Sequence, residues 1–124
     1  MAAPNIGSTA ATVYLRVACG PVATATGTNA TLIVSCGSTS STVLRVTRLD
    51  IGNIDGTNAA DITILRFVGT NSTTIVNTVS VPADAVLRVY DDGGSLAVTE
   101  GQDIRAVAGA ANDLTFDAEY QEFG

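Results

Sequence analysis

Asp117 and Glu119 are the pair whose type and spacing come nearest to chemistry. Two positions apart on an extended strand, their carboxyls would leave one face about 7 Å apart. That separation suits the paired carboxylates of a glycosidase. The plainer expectation for the same two residues is a polar face that is solvated or paired with arginine. Asp91 and Asp92 precede Gly93 and Gly94, which fits either a hairpin turn or a calcium loop. No further acids follow at EF-hand spacing, so a turn is expected. Asn29 and Asn71 each begin an Asn-X-Thr triplet. The start of the chain, Met1 to Asn5, lacks the basic and apolar regions of a signal peptide. Both triplets are therefore read as chance in a Thr-rich chain.

The rest of the catalytic repertoire is missing. The chain has no His, so neither a Ser-His-Asp nor a Cys-His arrangement forms, and imidazole metal ligands are absent. It has no Lys either, which removes Schiff-base chemistry and the phosphate-binding P-loop lysine. An enzyme, for instance a wall-degrading hydrolase, is disfavoured, and no cofactor or metal is called for. Cys19 and Cys36 remain, either as thiols in a reducing cytoplasm or as one disulfide.

All six cations are arginines: Arg16, Arg45, Arg48, Arg66, Arg88 and Arg105. With 12 acids the formal net charge is −6. An acidic, lysine-free chain is poorly suited to nucleic acid or to an anionic membrane surface. No apolar run is long enough for a membrane-spanning helix. Apolar residues make up 46% of the chain and charged residues 15%, against a usual charged share of about 25%. A small domain with so few charges needs Thr, Ser and Asn outside, or partners covering part of its surface. Lysine commonly guards exposed strand edges, and this chain has none to spend there.

The elements that must position these residues are strands. Short segments rich in Val, Ile, Thr and Leu recur about every dozen residues between Gly, Asn, Asp and Ser clusters. They are Thr12 to Ala18, Thr31 to Cys36, Val43 to Ile51, Ile62 to Val68, Thr73 to Val81, Ala85 to Tyr90, Leu96 to Thr99, Ile104 to Ala108 and Leu114 to Phe123. The expected fold is all-β: one antiparallel β-sandwich, jelly-roll-like or Ig-like, of about eight to nine strands. Leu114, Phe116, Ala118 and Tyr120 form one face of the last strand, against Asp113, Thr115, Asp117, Glu119 and Gln121. Ala85, Leu87 and Val89 oppose Val86, Arg88 and Tyr90. In the first strand Val13, Leu15 and Val17 oppose Tyr14 and Arg16. Leu44 and Val46 are out of phase with Leu49 and Ile51, and a bulge near Thr47 would reconcile them. Every arginine lies within an expected strand. Such residues either pair with acids across strands or reach acids on a neighbouring subunit.

The run from Leu49 to Ile64, Leu-Asp-Ile-Gly-Asn-Ile-Asp-Gly-Thr-Asn-Ala-Ala-Asp-Ile-Thr-Ile, resembles a strand–loop–strand unit of small virion proteins of tailed bacteriophages. Ser80 to Ala85, Thr99 to Ala106 and Ala110 to Leu114 fit the same pattern. The resemblance implies a capsid decoration (cement) protein, a homotrimer bound to the major capsid protein on the outer shell and made in the host bacterial cytoplasm. A tail, baseplate or head-fibre component with a receptor- or glycan-binding role is the alternative. Glycan sites favour aromatic platforms, and this chain has no Trp and three Tyr. The implied functional feature is a surface. Its expected members are Ala2, Pro4 and Ile6 of an N-terminal arm (residues 1–11), with Arg16, Arg45, Arg48, Arg66, Arg88, Asp117 and Glu119 of the domain (residues 12–124).

Overall fold

The computed structural model describes residues 13–39, 41–90 and 96–124. The expected arm, with Ala2, Pro4 and Ile6, and the Asp91–Gly94 turn lie outside these residues. The described chain forms nine strands: β1 (Val13–Pro21), β2 (Thr31–Ser35), β3 (Val43–Asn53), β4 (Ala60–Val68), β5 (Asn71–Val81), β6 (Val86–Tyr90), β7 (Leu96–Val98), β8 (Gln102–Ala108) and β9 (Leu114–Phe123). A 3-10 turn covers Gly27–Asn29. Each strand matches a segment expected from alternation. β1 runs past the expected Ala18 because Gly20 and Pro21 still pair with Phe116 and Thr115. Pro21 is tolerated there because β1 is an edge strand.

Two antiparallel sheets result. The first has the order β1-β9-β3-β6, with β7 on the other half of β3; the second has the order β2-β8-β4-β5. β6 and β7 pair with successive halves of one long strand. Counted together, they complete a ribbon in which first pairs with last, second with penultimate, and so on to the β4–β5 hairpin. That nesting is a jelly roll rather than an Ig sandwich. Gly69 (φ +64) begins the tight β4–β5 turn, where a hairpin requires positive φ.

Leu49, Ile51, Leu114 and Phe116 of the first sheet meet Ile62, Ile64 and Ile104 of the second in one buried cluster. Burying each such side chain contributes roughly 1.5–3 kcal/mol. The expected bulge is present: Val46 pairs with Tyr120 and Arg48 with Glu119, leaving Thr47 without a rung. It keeps Leu44, Val46, Leu49 and Ile51 all buried. Cys36 lies in this cluster and Cys19 on the exposed β1, and the two are not joined in a disulfide.

Asn53, at the end of β3, is a buried polar residue. Its amide donates to the carbonyls of Asn58 and Val81, both at 2.9 Å, and its oxygen accepts from the Asp55 N–H. The β3–β4 connection is thereby tied to the end of β5, and the buried amide is fully matched.

Candidate interaction surface

Register decides which residues share the outer side of the first sheet. Ala118 of β9 is fully buried and Phe116 nearly so. Their neighbours Asp117, Glu119 and Gln121 therefore face out. Opposite them on β3 stand Asp50, Arg48 and Arg45, and on β1 stand Cys19, Val17 and Leu15. Arg88 joins the same face from β6, opposite Asp50.

Asp50 and Asp117 face each other directly, an arrangement that repels unless a cation intervenes. Arg48 is that cation. Its Nη1 donates to Asp50 Oδ2, its Nη2 to Asp117 Oδ2 at 3.0 Å and its Nε to Glu119 Oε1 at 2.8 Å. Arg88 Nε reaches the other oxygen of Asp50 at 3.0 Å. Hydrogen bonds donated to Asp117, Glu119 and Asp50 hold the Arg48 guanidinium in its charged form well above the ordinary arginine range. Desolvation alone would raise the Asp50 carboxyl. The hydrogen bonds from Arg88 and Arg48 outweigh it and leave Asp50 below the usual carboxylate range. Asp117 and Glu119 are thus arginine-paired, the plainer of the two expectations for them.

The other expected residues separate. Arg45 shares this outer face, exposed, and makes no ion pair among the described residues. Arg66 is engaged internally: its Nη1 donates to the Ala97 carbonyl at 2.7 Å and to Gln102 Oε1 at 2.6 Å, joining the two sheets. Arg16 lies on the opposite side of β1, 3.6 Å from Glu122 and with its guanidinium over the Tyr14 ring. Arg105, outside the expected set, holds the 3-10 turn through the Thr28 and Ala30 carbonyls.

The feature that alternation did not disclose is the direction of the apolar side of β1. Val13, Leu15 and Val17 alternate as a buried strand face should, yet they point outward. They are 50%, 82% and 69% exposed. Register forces this, because Val17 pairs with Glu119 and Leu15 with Gln121 on the polar side of β9. Tyr14, on the other side, is also about half exposed, so this half of β1 is uncovered on both faces. A signal was present in the neighbouring sequence: Ala18 and Gly20, small residues in phase with Arg16, fit against Ala118 and Phe116.

No group of three or more acidic or cysteine side chains among the described residues is arranged to hold a metal. No family model matches the sequence, and no curated protein matches it significantly. Among solved structures, a chain described by the words "Bacillus endospore appendages form a novel family of disulfide-linked pili" superposes with a TM-score of 0.51. The two are 17% identical over 94% of this chain and 92% of that one, a likeness of fold across nearly the whole of both chains.

Proposed function

We propose that this chain is a non-enzymatic structural subunit that works by packing against other proteins of an assembly. The observation that carries this reading is the outer face of the first sheet. There an exposed apolar stripe on β1 lies beside a charge cluster whose members are already paired among themselves. A free monomer leaves three aliphatic side chains half or more in water, and covering what is exposed would contribute roughly 1–2 kcal/mol each. The acidic carboxylates beside them are held by arginine rather than poised for proton transfer.

The assembly we favour is a virion, with the chain as a capsid decoration protein. It would bind the major capsid protein on the outer shell as a homotrimer, many weak contacts being multiplied by symmetry. The phage-like segments supply the support. Those after Leu49, Ser80, Thr99 and Ala110 fall at the β3–β4, β5–β6, β7–β8 and β8–β9 connections, so they make up much of the loop framework.

A fibre or appendage subunit is the second reading, favoured by the fold shared with the disulfide-linked pilus protein. The cysteines limit it. Cys36 is buried, which leaves Cys19 as the accessible thiol. One thiol per subunit joins subunits in pairs and cannot by itself link a polymer.

Sedimentation of the purified chain with assembled shells of its virion, and separately with unassembled capsid protein, tests the proposal. Binding to shells and not to unassembled capsid protein is the expected result, with the homotrimer forming on the shell. Filaments in electron microscopy without shell binding would move the assignment to the appendage reading.

A further inference from the structure

We propose that β1 is a docking strand for a second copy of this chain, the two copies pairing edge to edge about a two-fold axis near Leu15. The inference rests on reading the chain as an assembly subunit, and it holds for either assembly.

The edge itself is the first argument. β1 pairs with β9 through nine consecutive rungs, Val13 with Phe123 to Pro21 with Thr115, without a register shift. Among the described residues its other side has no neighbour in the sheet. Each remaining sheet edge among the described residues is short or irregular. β2 shifts between Leu32 and Val34, β5 pairs through two shifts, β6 through one, and β7 is three residues long. Bulges and short strands are the ordinary means of keeping an edge from recruiting another chain. Lysine is another, and β1 has none of these protections before Pro21 at its end.

The side chains select the occupant. The outer side of β1 offers Val13, Leu15, Val17 and Cys19, with no charge to attract a charged partner. An added strand of matching phase must itself be apolar on that side. β5 is mostly Asn, Ser and Thr, and β6 brings Arg88 beside Val86. β1 is the described edge strand that matches, so the fitting partner is another β1.

Register follows from charge. Opposed residues in antiparallel strands lie on the same side of the sheet, so the axis must pass through a residue position. Centred on Arg16, it would set two guanidinium groups against each other. Centred on Leu15, it sets Leu15 against Leu15 and Val13 against Val17 of the second copy. Tyr14 then faces Arg16 of the second copy on the other side, extending the cation–ring contact each copy already makes. The first sheets of the two copies join into one, with a continuous apolar seam across the axis.

The test uses the full chain. Light scattering after size exclusion, over a concentration series, should give wild-type particles of about twice the mass of those formed by Leu15→Lys/Val17→Lys. Both positions are exposed, so circular dichroism and melting temperature of the double variant should match wild type. In a Cys19→Ser background, Leu15→Cys should form disulfide-linked dimers on mild oxidation while Val86→Cys, on the opposite edge, should not. A wild-type mass unaltered by the two lysines, or equal cross-linking at positions 15 and 86, would overturn the proposal. Shell binding that survives such a result would leave the decoration reading standing.

Discussion

Arg48 stands opposite Glu119, rather than opposite the buried Ala118, because Thr47 is squeezed out of the β3–β9 ladder. Had Thr47 taken its own rung, Arg48 would turn into the core and Leu49 into water. One surplus residue thus sets both the packing of Leu49 and the charge cluster outside it. Within that cluster Arg48 separates Asp50 from Asp117. Replacing Arg48 with Met should therefore destabilise the fold by about 1–2 kcal/mol in urea unfolding at neutral pH. The loss is small because Asp117 and Glu119 are half exposed and water screens them. Arg48→Lys should recover only part of it, since an ammonium cannot fork among three carboxylates.

The pH dependence has a definite sign. Asp50 and Asp55 both titrate below the ordinary value of 3.8 when folded, Asp50 through Arg88 and Arg48, and Asp55 through the backbone N–H groups of Thr57 and Asn58. A carboxyl whose folded value is depressed contributes stability that is fully present above its unfolded value. That stability is lost as pH falls through the folded one. Unfolding free energy from these two groups should be flat above the ordinary carboxylate range and decline below it. Asp50→Asn should lower stability at neutral pH and make the acid decline shallower, as measured by urea midpoints across pH.

Asn53 should be the most sensitive polar position. Truncation to Ala leaves the carbonyls of Asn58 and Val81 and the N–H of Asp55 without their partner. Buried groups left unmatched cost about 1–3 kcal/mol, so a loss of about 2–3 kcal/mol is expected. Asn53→Asp should cost at least as much, because a carboxylate has no proton to offer the two carbonyls. Thermal unfolding of both variants is the measurement.

Alternation alone disclosed all nine strands, the inward face of β9 and the bulge at Thr47, because each depends on which residues prefer water. The outward face of β1 was not legible in the same way. Val13, Leu15 and Val17 have the pattern of a buried strand, and only pairing to β9 shows that burial falls to Ala18 and Gly20 instead. The arginines were equally opaque one by one. Arg48 and Arg66 both sit in strands, yet one joins β3 to β9 on the surface and the other joins the two sheets through Ala97 and Gln102. Distinguishing them requires the sheet order, a long-range property that a local period does not carry.

The two thiols should react very differently. Cys19 is exposed on β1, whereas Cys36 is 3% exposed and its Sγ lies 3.4 Å from the Thr42 carbonyl. A thiol reagent added to the native protein should label one site rapidly and the second only on unfolding. Cys19→Ser should abolish the fast phase and leave the slow one intact. Two fast thiols would show that Cys36 is open to solvent, and would restore the possibility of disulfide links at two points per subunit.

Salt should strengthen the pairing of copies rather than weaken it. Each chain carries a formal charge of −6. Two such charges about 27 Å apart repel by roughly 5–6 kcal/mol in unscreened water. The β1 seam is apolar on its outer side and sets Arg16 against a ring on the other, so no ion pair across it stands to be weakened by salt. Raising ionic strength from about 0.01 to about 0.15 M shortens the screening length from about 30 to about 8 Å. Most of the repulsion then disappears while the apolar contact persists. The dissociation constant from sedimentation equilibrium should fall by about tenfold or more over that range. If it rises with salt instead, attraction between opposite charges holds the copies together. The contact would then lie on a face that presents Arg45 or Arg88 to a neighbour's carboxylates, not on β1.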